Sequence, residues 1–348
     1  MIPLSMLGVD LSYWQVTSLR VLGVLVAVVL PAGGFVYVFL FKMMSFMQSR
    51  LGPMEAGPFG SMQLLAEVGK FLQKEDIVPD NADRRLFFIA PYIVLASTFL
   101  MLVVMPFGPD AYFADLDTGI FLALGLSSIS VIGILIAGWA SANKYSLIGG
   151  LRAAGQLIAY ELPMVLAVVG VVIQAGTLNL QGIVAAQHQG EIFGIGAIGN
   201  PFVITQLVGF VIFLIATQAE LTQPPFDMPV AESEIVTGYI TEYSGLRFLL
   251  FFIGEFASAG AFAAVAATLF LGGWAVPAAW TDLNSAWFNL IGPLIMLTKM
   301  MILGGLIFFV RFTFPRFRED QLQKLAWTVL IPIALVNILA TTILKVAF

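Results

Sequence analysis

The chain has 348 residues, of which 59% are hydrophobic and only 11% are charged, and its mean hydropathy is +0.96. Soluble domains carry roughly a quarter charged residues, so this composition excludes a water-soluble protein and indicates a membrane protein. Cysteine is absent and His188 is the single histidine. These counts exclude disulfides, cysteine-bound iron–sulfur clusters and histidine-rich metal or haem sites within the chain.

Eight stretches are long and apolar enough to cross a bilayer, which takes about 20 apolar residues. In chain order they are 17–41, 86–107, 119–140, 154–176, 201–219, 246–272, 289–311 and 325–347. We therefore predict an all-α polytopic membrane protein that forms a single membrane domain over residues 1–348. The fifth stretch is the shortest of the eight.

Lysine and arginine occur in alternate loops. The first, third, fifth and seventh connections contain basic residues: Lys42, Arg50, Lys70, Lys74, Arg84, Arg85, Lys144, Arg152, Arg247, Arg311, Arg316, Arg318 and Lys324. The connections around 108–118, 177–200 and 273–288 contain none. Because basic loops stay in the cytoplasm, we predict that both termini face the outer side of the membrane.

The first cytoplasmic loop, residues 42–85, contains an amphipathic segment. Between Ser61 and Glu75, apolar residues recur at helical spacing and polar residues occupy the opposite face. About 15 residues are too few to span a bilayer. We predict a helix that lies in the membrane interface or packs beneath a partner protein. Upstream, Arg50 precedes a turn rich in glycine and proline, where its guanidinium would anchor at the lipid headgroups or bind a carbonyl or carboxylate.

Three ionisable residues fall within predicted spans, namely Glu161, Glu255 and Lys299. A charge at membrane depth is costly unless it is paired, neutralised or hydrated. Arg152 is nine residues from Glu161 and lies on the opposite helix face, so the two do not pair within one helix. Desolvated carboxyls can bind and release protons near neutral pH. The three residues therefore serve either in a proton relay or in buried ion pairs and packing.

The connection over residues 220–246 is acidic although it lies on the predicted cytoplasmic side. Its carboxylates are Glu220, Asp227, Glu232, Glu234 and Glu242, and Arg247 is the nearest counter-charge. Three prolines, Pro224, Pro225 and Pro229, prevent a continuous helix and predict irregular backbone that lines a cavity or is covered by protein. Buried together, these carboxylates would titrate as a coupled set. The alternative is an exposed acidic loop that docks onto a basic partner.

Four blocks of this sequence resemble, in order and spacing, the quinone-channel (H) subunit family of proton-pumping NADH:quinone oxidoreductase, respiratory complex I. They are RLGPMEAGPFGSMQLLAEVGKFLQKEDIVP, GWASANKYSLIGGLRAAGQLIAYELP, PPFDMPVAESEIVTGYITEYSGLRF and RFTFPRFREDQLQKLAW. The resemblance covers nearly all of the chain from Arg50 to Trp327. Several long blocks in register are far more specific than any single motif.

The resemblance implies a multi-pass subunit of the bacterial cytoplasmic membrane, with eight helices beneath the peripheral arm of the complex. It implies that the chain walls the channel by which quinone, the substrate, leaves the bilayer. Reduction would occur on the neighbouring peripheral subunits, with FMN and the iron–sulfur clusters held in partner subunits. The implied partners are those quinone-site subunits and the other membrane-arm subunits, and no nucleic acid is implied.

The resemblance also assigns residues. It places a proton-relaying acidic funnel on Glu161, Glu220, Asp227, Glu232, Glu234, Glu242 and Glu255, with Arg152 on the helix before it. It places Arg50, Phe226, Arg311, Arg316 and Arg318 near the quinone channel or the peripheral-arm contact. Departures from the usual family pattern are Met54, Glu55, Thr222, Gln223, Val230 and Ile240. They remove one carboxylate and one or two basic groups from the usual network.

Two other classes of protein share parts of this pattern. One is the equivalent subunit of a related complex that takes electrons from ferredoxin, F420H2 or a hydrogenase module. The other is an autonomous cation/proton antiporter, for which Glu161 and Lys299 within the membrane are suited. Identifying the electron donor distinguishes the first alternative from complex I. Testing whether the chain transports ions by itself distinguishes the second.

Overall fold

The computed structural model describes Gln15, Ser18, Gly34 and the ranges 36–109, 111–190, 199–276 and 288–347. Within these residues the regular structure is helical and contains no strand. Six of the described helices are long and apolar enough to cross a membrane: Arg84–Val103, Gly119–Ala140, Lys144–Ala175, Gly245–Phe270, Ile291–Thr313 and Glu319–Ala347. The predicted all-α polytopic membrane fold is confirmed.

The α-helices are α1 (Met44–Met47), α2 (Gln63–Gln73), α3 (Arg84–Val103), α4 (Gly119–Ala140), α5 (Lys144–Ala175), α6 (Leu180–Gln189), α7 (Phe202–Thr205), α8 (Leu207–Glu220), α9 (Glu232–Ile235), α10 (Gly245–Phe270), α11 (Phe288–Thr313), α12 (Glu319–Lys324) and α13 (Ile331–Ala347). Stretches of π-helix, Val36–Met43 and Leu325–Leu330, precede α1 and α13. Short 3₁₀ turns occupy Pro58–Gly60 and Gly238–Ile240.

Most predicted spans coincide with these helices, and three differences are informative. The predicted fourth span begins at 154, whereas α5 begins at Lys144, because the Asn143 side chain caps the helix by accepting from the Tyr145 amide. The loop predicted at 177–200 contains α6, which Asn179 caps in the same way. The fifth span corresponds to α7 and α8. At 14 residues α8 is roughly 21 Å long, shorter than a hydrocarbon core of about 30 Å.

The first predicted span, 17–41, lies mostly outside the described residues. The predicted amphipathic helix is present as α2. Its Phe71 ring stacks on Phe248 at the start of α10, with ring centroids 5.5 Å apart. Leu65 and Leu72, on another face, are 66% and 61% exposed in the chain by itself. This exposed apolar stripe fits either environment that the sequence predicts.

Helix α10 lies at the centre of the fold and packs against α3, α6 and α11, while α5 packs against α4, α8 and α13. The small residues in the second half of α10 are buried, as at Ala259, Ala261 and Ala263, each 0% exposed. Small side chains let helix backbones approach closely, so this half of α10 forms a tightly packed apolar core. The charged residues of the site lie at the opposite end, where the chain enters α10.

Candidate functional site

The acidic connection leaves α8 at Glu220 and enters α10 at Gly245 without a long helix between them. The interruption that its prolines predict is therefore confirmed. Helix α5 holds this irregular backbone in place through Gln156, which is fully buried. Its amide donates to the carbonyls of Ala219 and Phe226, each at 2.7 Å. The connection is thus anchored inside the protein at both ends of its proline-containing turn.

A cavity of about 400 Å³, here called the Asp227 cavity, lies between this connection, the start of α10 and the end of α11. Its charged lining consists of Asp227, Glu232, Glu255, Arg311 and Arg316. Three carboxylates thus face two guanidinium groups. The prolines predict that the connection lines a cavity or is covered by protein, and residues of the connection do line one.

A smaller pocket of about 50 Å³, here called the Glu220 pocket, lies deeper between α3, α4 and α10. Glu220 and Glu255 line it together with the hydroxyl groups of Ser97, Thr98, Ser127, Ser130 and Ser258. Glu220 is 8% exposed, and its Oε2 atom accepts no hydrogen bond from any described residue. A buried carboxyl oxygen beside several hydroxyls suits a site that holds water or a proton.

Glu255 faces both cavities and is held from two sides. Gln223 donates to its Oε1 atom at 3.1 Å, and an Arg311 guanidinium nitrogen lies 3.3 Å from the same oxygen. Gln223 is fully buried. In the sequence this glutamine is only a departure from the family pattern, yet the structure places it in direct contact with a predicted relay carboxylate.

Asp227 is a carboxyl group of the connection with a pKa close to neutrality. Burial raises the pKa of Asp227 to about 6, against the opposing effect of Arg316 and Arg311, while Glu255 and Glu232 raise it further. A carboxyl with a pKa near neutrality can both bind and release a proton under physiological conditions. The predicted proton chemistry therefore has a suitable group in this cavity.

A second set of charges joins α5, α9 and α12. Arg152 binds Glu234 at 2.6 Å and lies 3.7 Å from Glu319, and Arg316 contacts Glu234 at 3.3 Å. We call these four residues the Arg152 cluster. The hydrogen bond from Arg152 lowers the pKa of Glu234, which is half-exposed. Arg152 therefore pairs across helices and not with Glu161.

Glu161 lies in the middle of α5 and accepts a hydrogen bond from the Ser128 hydroxyl of α4. It is near enough to Glu220 for the two carboxylates to interact electrostatically. Lys299, by contrast, donates three hydrogen bonds of 2.7 Å to the carbonyls of Leu271, Gly273 and Ala275. This geometry favours the packing interpretation for Lys299.

Besides Glu161, Glu234 and Arg152, four further residues that the resemblance assigned line neither cavity. Glu242 accepts from Asn143 at the start of α5, and Arg50 donates to Gln48. Arg318 is 77% exposed and pairs with Asp320. Phe226 is buried, and its ring contacts those of Tyr160 and Phe317 at centroid distances of 5.2 and 5.6 Å. The roles that the resemblance assigned to these residues and to the other site residues stay predictions.

Tyr239 and the hydroxyl residues of the Glu220 pocket are not evident from the sequence pattern. Serine and threonine are common in helices and carry no spacing signal, so only their convergence in space distinguishes them. Tyr239 lies in a loop beside acidic residues that dominate the sequence pattern. Among the described residues, no three histidine, cysteine or acidic side chains form a group that could hold a metal ion.

Comparison with known proteins identifies the family of the chain. The chain matches the family model described as NADH dehydrogenase over residues 19–342. It is 44% identical to the H subunit of NADH-quinone oxidoreductase from Brevibacillus brevis, over 92% of this chain and 90% of that protein. The corresponding H subunits of Bacillus cytotoxicus and Bacillus thuringiensis subsp. konkukian are 44% and 45% identical to it, each over 88% of this chain and 87% of theirs. The chain therefore belongs to the NADH dehydrogenase family, together with the H subunits of NADH-quinone oxidoreductases.

Proposed function

We propose that this chain is the membrane subunit of a bacterial NADH-quinone oxidoreductase that admits quinone from the bilayer and couples its reduction to proton translocation. Family membership supports the enzyme, because the relatives are named for it. Quinone is the substrate. Iron–sulfur clusters belong to partner subunits, since this chain has no cysteine to ligate one, and the family resemblance assigns FMN to a partner subunit as well. The bilayer, the peripheral quinone-site subunits and the other membrane-arm subunits are its partners.

The coupling role is supported by the Asp227 cavity, which shares a wall with the Glu220 pocket. Glu255 lines both spaces, so a proton that binds in one of them changes the electrostatic potential in the other. Carboxylates this close titrate together, and a change of charge at one member redistributes protons among the rest. Quinone reduction near the Asp227 cavity would supply such a change.

The arrangement suggests an order of events. Asp227, with its pKa near 6, exchanges the first proton. Glu255 responds next, because Arg311 and Gln223 hold its carboxylate at the boundary of the two cavities. Glu220 and then Glu161 pass the proton or the change in field further into the membrane. Ser128 orients the Glu161 carboxylate at the end of this series.

Neutralising Glu255 tests the proposal. In the purified complete complex, reconstituted into sealed vesicles, we expect Glu255→Gln to lower NADH-driven quinone reduction and proton uptake together by roughly tenfold or more. Asp320→Asn is the matched control, since Asp320 is exposed and pairs only with its near neighbour Arg318 among the described contacts. Equal pumping by Glu255→Gln and the control would refute the coupling role.

The same purification separates this function from the alternatives. Copurification with flavin and iron–sulfur subunits and activity with NADH support the proposal. Copurification with a ferredoxin, F420H2 or hydrogenase module would keep the fold and change the electron donor. A chain that purifies by itself and transports ions after reconstitution would replace the proposal with an antiporter.

A further inference from the structure

The two cavities share four lining residues, Thr222, Tyr239, Phe251 and Glu255. Three of these, Glu255, Tyr239 and Thr222, carry a carboxyl or hydroxyl group, and the two hydroxyl groups differ in that the Tyr239 phenol is the more acidic. The Glu255 carboxylate is held through its Oε1 atom by Gln223 and Arg311. The phenol of Tyr239 is therefore a second proton-exchanging group in the wall between the Asp227 cavity and the Glu220 pocket.

Close backbone contacts fix the position of Tyr239. It lies in the Gly238–Ile240 turn, which rests directly on α5. A Cβ atom on Gly149 of α5 would lie 2.6 Å from both the Gly238 Cα and the Tyr239 nitrogen. A Cβ atom on Gly238 would lie 1.8 Å from the Pro229 carbonyl oxygen. Neither glycine has room for a side chain, so the turn cannot shift without repacking.

The ring of Tyr239 is also held. It meets the ring of Phe251 edge-on, with centroids 5.6 Å apart and an interplanar angle of 72°. Phe251 is itself 5% exposed, so it presents a rigid surface. An edge-on aromatic contact fixes the ring while the hydroxyl at its tip stays free to rotate.

We propose that the Tyr239 hydroxyl passes protons between the Asp227 cavity and the Glu220 pocket. This inference rests on the proposed coupling function and deepens it by naming the group that joins the two spaces. The phenol oxygen accepts a proton from one side while its own O–H proton leaves to an acceptor on the other side. Rotation about the C–O bond then restores the starting state, so the tyrosine gains and loses one proton in each cycle.

The surroundings keep the phenol in the neutral form that this step needs. Burial, assisted by the charges of Glu255 and Asp227, raises the pKa of Tyr239 well above its ordinary value. The hydroxyl therefore keeps a proton to donate and a lone pair to accept one. The same two carboxylates are close enough to act on the phenol, and they lie on the predicted proton route.

Tyr243 supplies a matched comparison within the same connection. Its hydroxyl donates to the Phe87 carbonyl at 3.2 Å, and its ring stacks on Phe87 with centroids 4.0 Å apart. It lines neither of the two cavities. Removing its hydroxyl should therefore affect packing but not proton transfer.

The experiment compares Tyr239→Phe with Tyr243→Phe in the complete complex, reconstituted into sealed vesicles. We expect Tyr239→Phe to lower quinone-coupled proton uptake by roughly tenfold. The rate that remains should show a changed dependence on the fraction of D₂O, which a purely structural change would not produce. Tyr243→Phe should match the unmodified complex in both measurements. Identical uptake and D₂O dependence for the two variants would overturn the proposal.

Two further measurements keep the outcomes distinct. If Glu255→Gln blocks proton uptake while Tyr239→Phe does not, the role of Tyr239 is wrong and the coupling function stands. If Glu255→Gln also pumps normally, the coupling function itself has failed. Should Tyr239→Phe not assemble, a fluorotyrosine at position 239 keeps the hydroxyl but changes its acidity. A shifted uptake rate supports the relay, and an unshifted rate contradicts it.

Discussion

The Asp227 cavity and the Arg152 cluster are both built from carboxylates and guanidinium groups, and Glu232 of the cavity is two residues from Glu234 of the cluster. The pKa values of their carboxyl groups nevertheless shift in opposite directions. In the cavity, burial outweighs two nearby arginines and raises the pKa of Asp227 to about 6. In the cluster, direct hydrogen bonding from Arg152 outweighs desolvation and lowers the pKa of Glu234. Arg316 contributes to both.

The difference shows that the number of charges does not decide what they do. A carboxylate with a guanidinium nitrogen at 2.6 Å and open access to solvent stays ionised and acts as a structural contact. A carboxyl that loses its water without gaining a close partner is left near the point of protonation. The first arrangement holds α5, α9 and α12 together, and the second suits proton exchange.

The comparison requires the Asp227 cavity and the Arg152 cluster to lie on the cytoplasmic side of the membrane. A chain inserted in the opposite orientation would therefore invalidate it. The chain has no native cysteine, so a single introduced cysteine is the only thiol in this subunit. We expect Ser233→Cys to react with an impermeant thiol reagent only from the cytoplasmic side, and Asp117→Cys only from the outer side. Both positions are exposed. Reaction of both from one side would contradict the predicted orientation.

Infrared spectroscopy would sharpen the comparison at the two carboxyls. We expect the C=O band of protonated Asp227 to lose half its intensity near pH 6, since the carboxyl is protonated below this pKa and ionised above it. Asp227→Asn should remove this titration from the pH difference spectrum of the complex. Glu234→Gln should leave the spectrum unchanged between about pH 5 and 8, because the lowered pKa keeps Glu234 ionised throughout this range. If Glu234→Gln removed the titration near pH 6 and Asp227→Asn did not, Glu234 would be the proton-exchanging carboxyl and Asp227 the permanently ionised one.

Sequence predicts the parts of this molecule that depend on composition and period. Long apolar stretches predict α3, α4, α10 and α11, and three prolines predict the irregular connection after Glu220. A hydropathy pattern does not detect the side chains that cap helices. The start of α5 at Lys144 and the existence of α6 depend on the caps Asn143 and Asn179, so they could not be predicted from hydropathy.

Within the site, the carboxylates could be predicted because charge in an apolar chain is conspicuous. Their division between cavity and surface could not, because it depends on which guanidinium reaches each one in space. Arg152 contacts Glu234, which is 82 residues away in the chain, and Arg311 contacts Glu255 at a separation of 56. No local period relates such pairs. Tyr239 could not be predicted for the same reason, because it is distinguished only by its place in the wall between the Asp227 cavity and the Glu220 pocket.

The smallest expected effect concerns the Arg152 cluster. Arg152→Gln removes two ion pairs but leaves Glu234 in contact with Arg316. Because the partners are about half-exposed, we expect a loss of about 0–1 kcal/mol in stability, and less at high salt. The measurement is the temperature at which the assembled complex loses activity at low and high ionic strength. Arg318→Gln, which breaks one exposed pair, is the control. If Arg152→Gln instead abolished proton uptake in a fully assembled complex, the surface cluster would belong to the proton route, and its contrast with the Asp227 cavity would be lost.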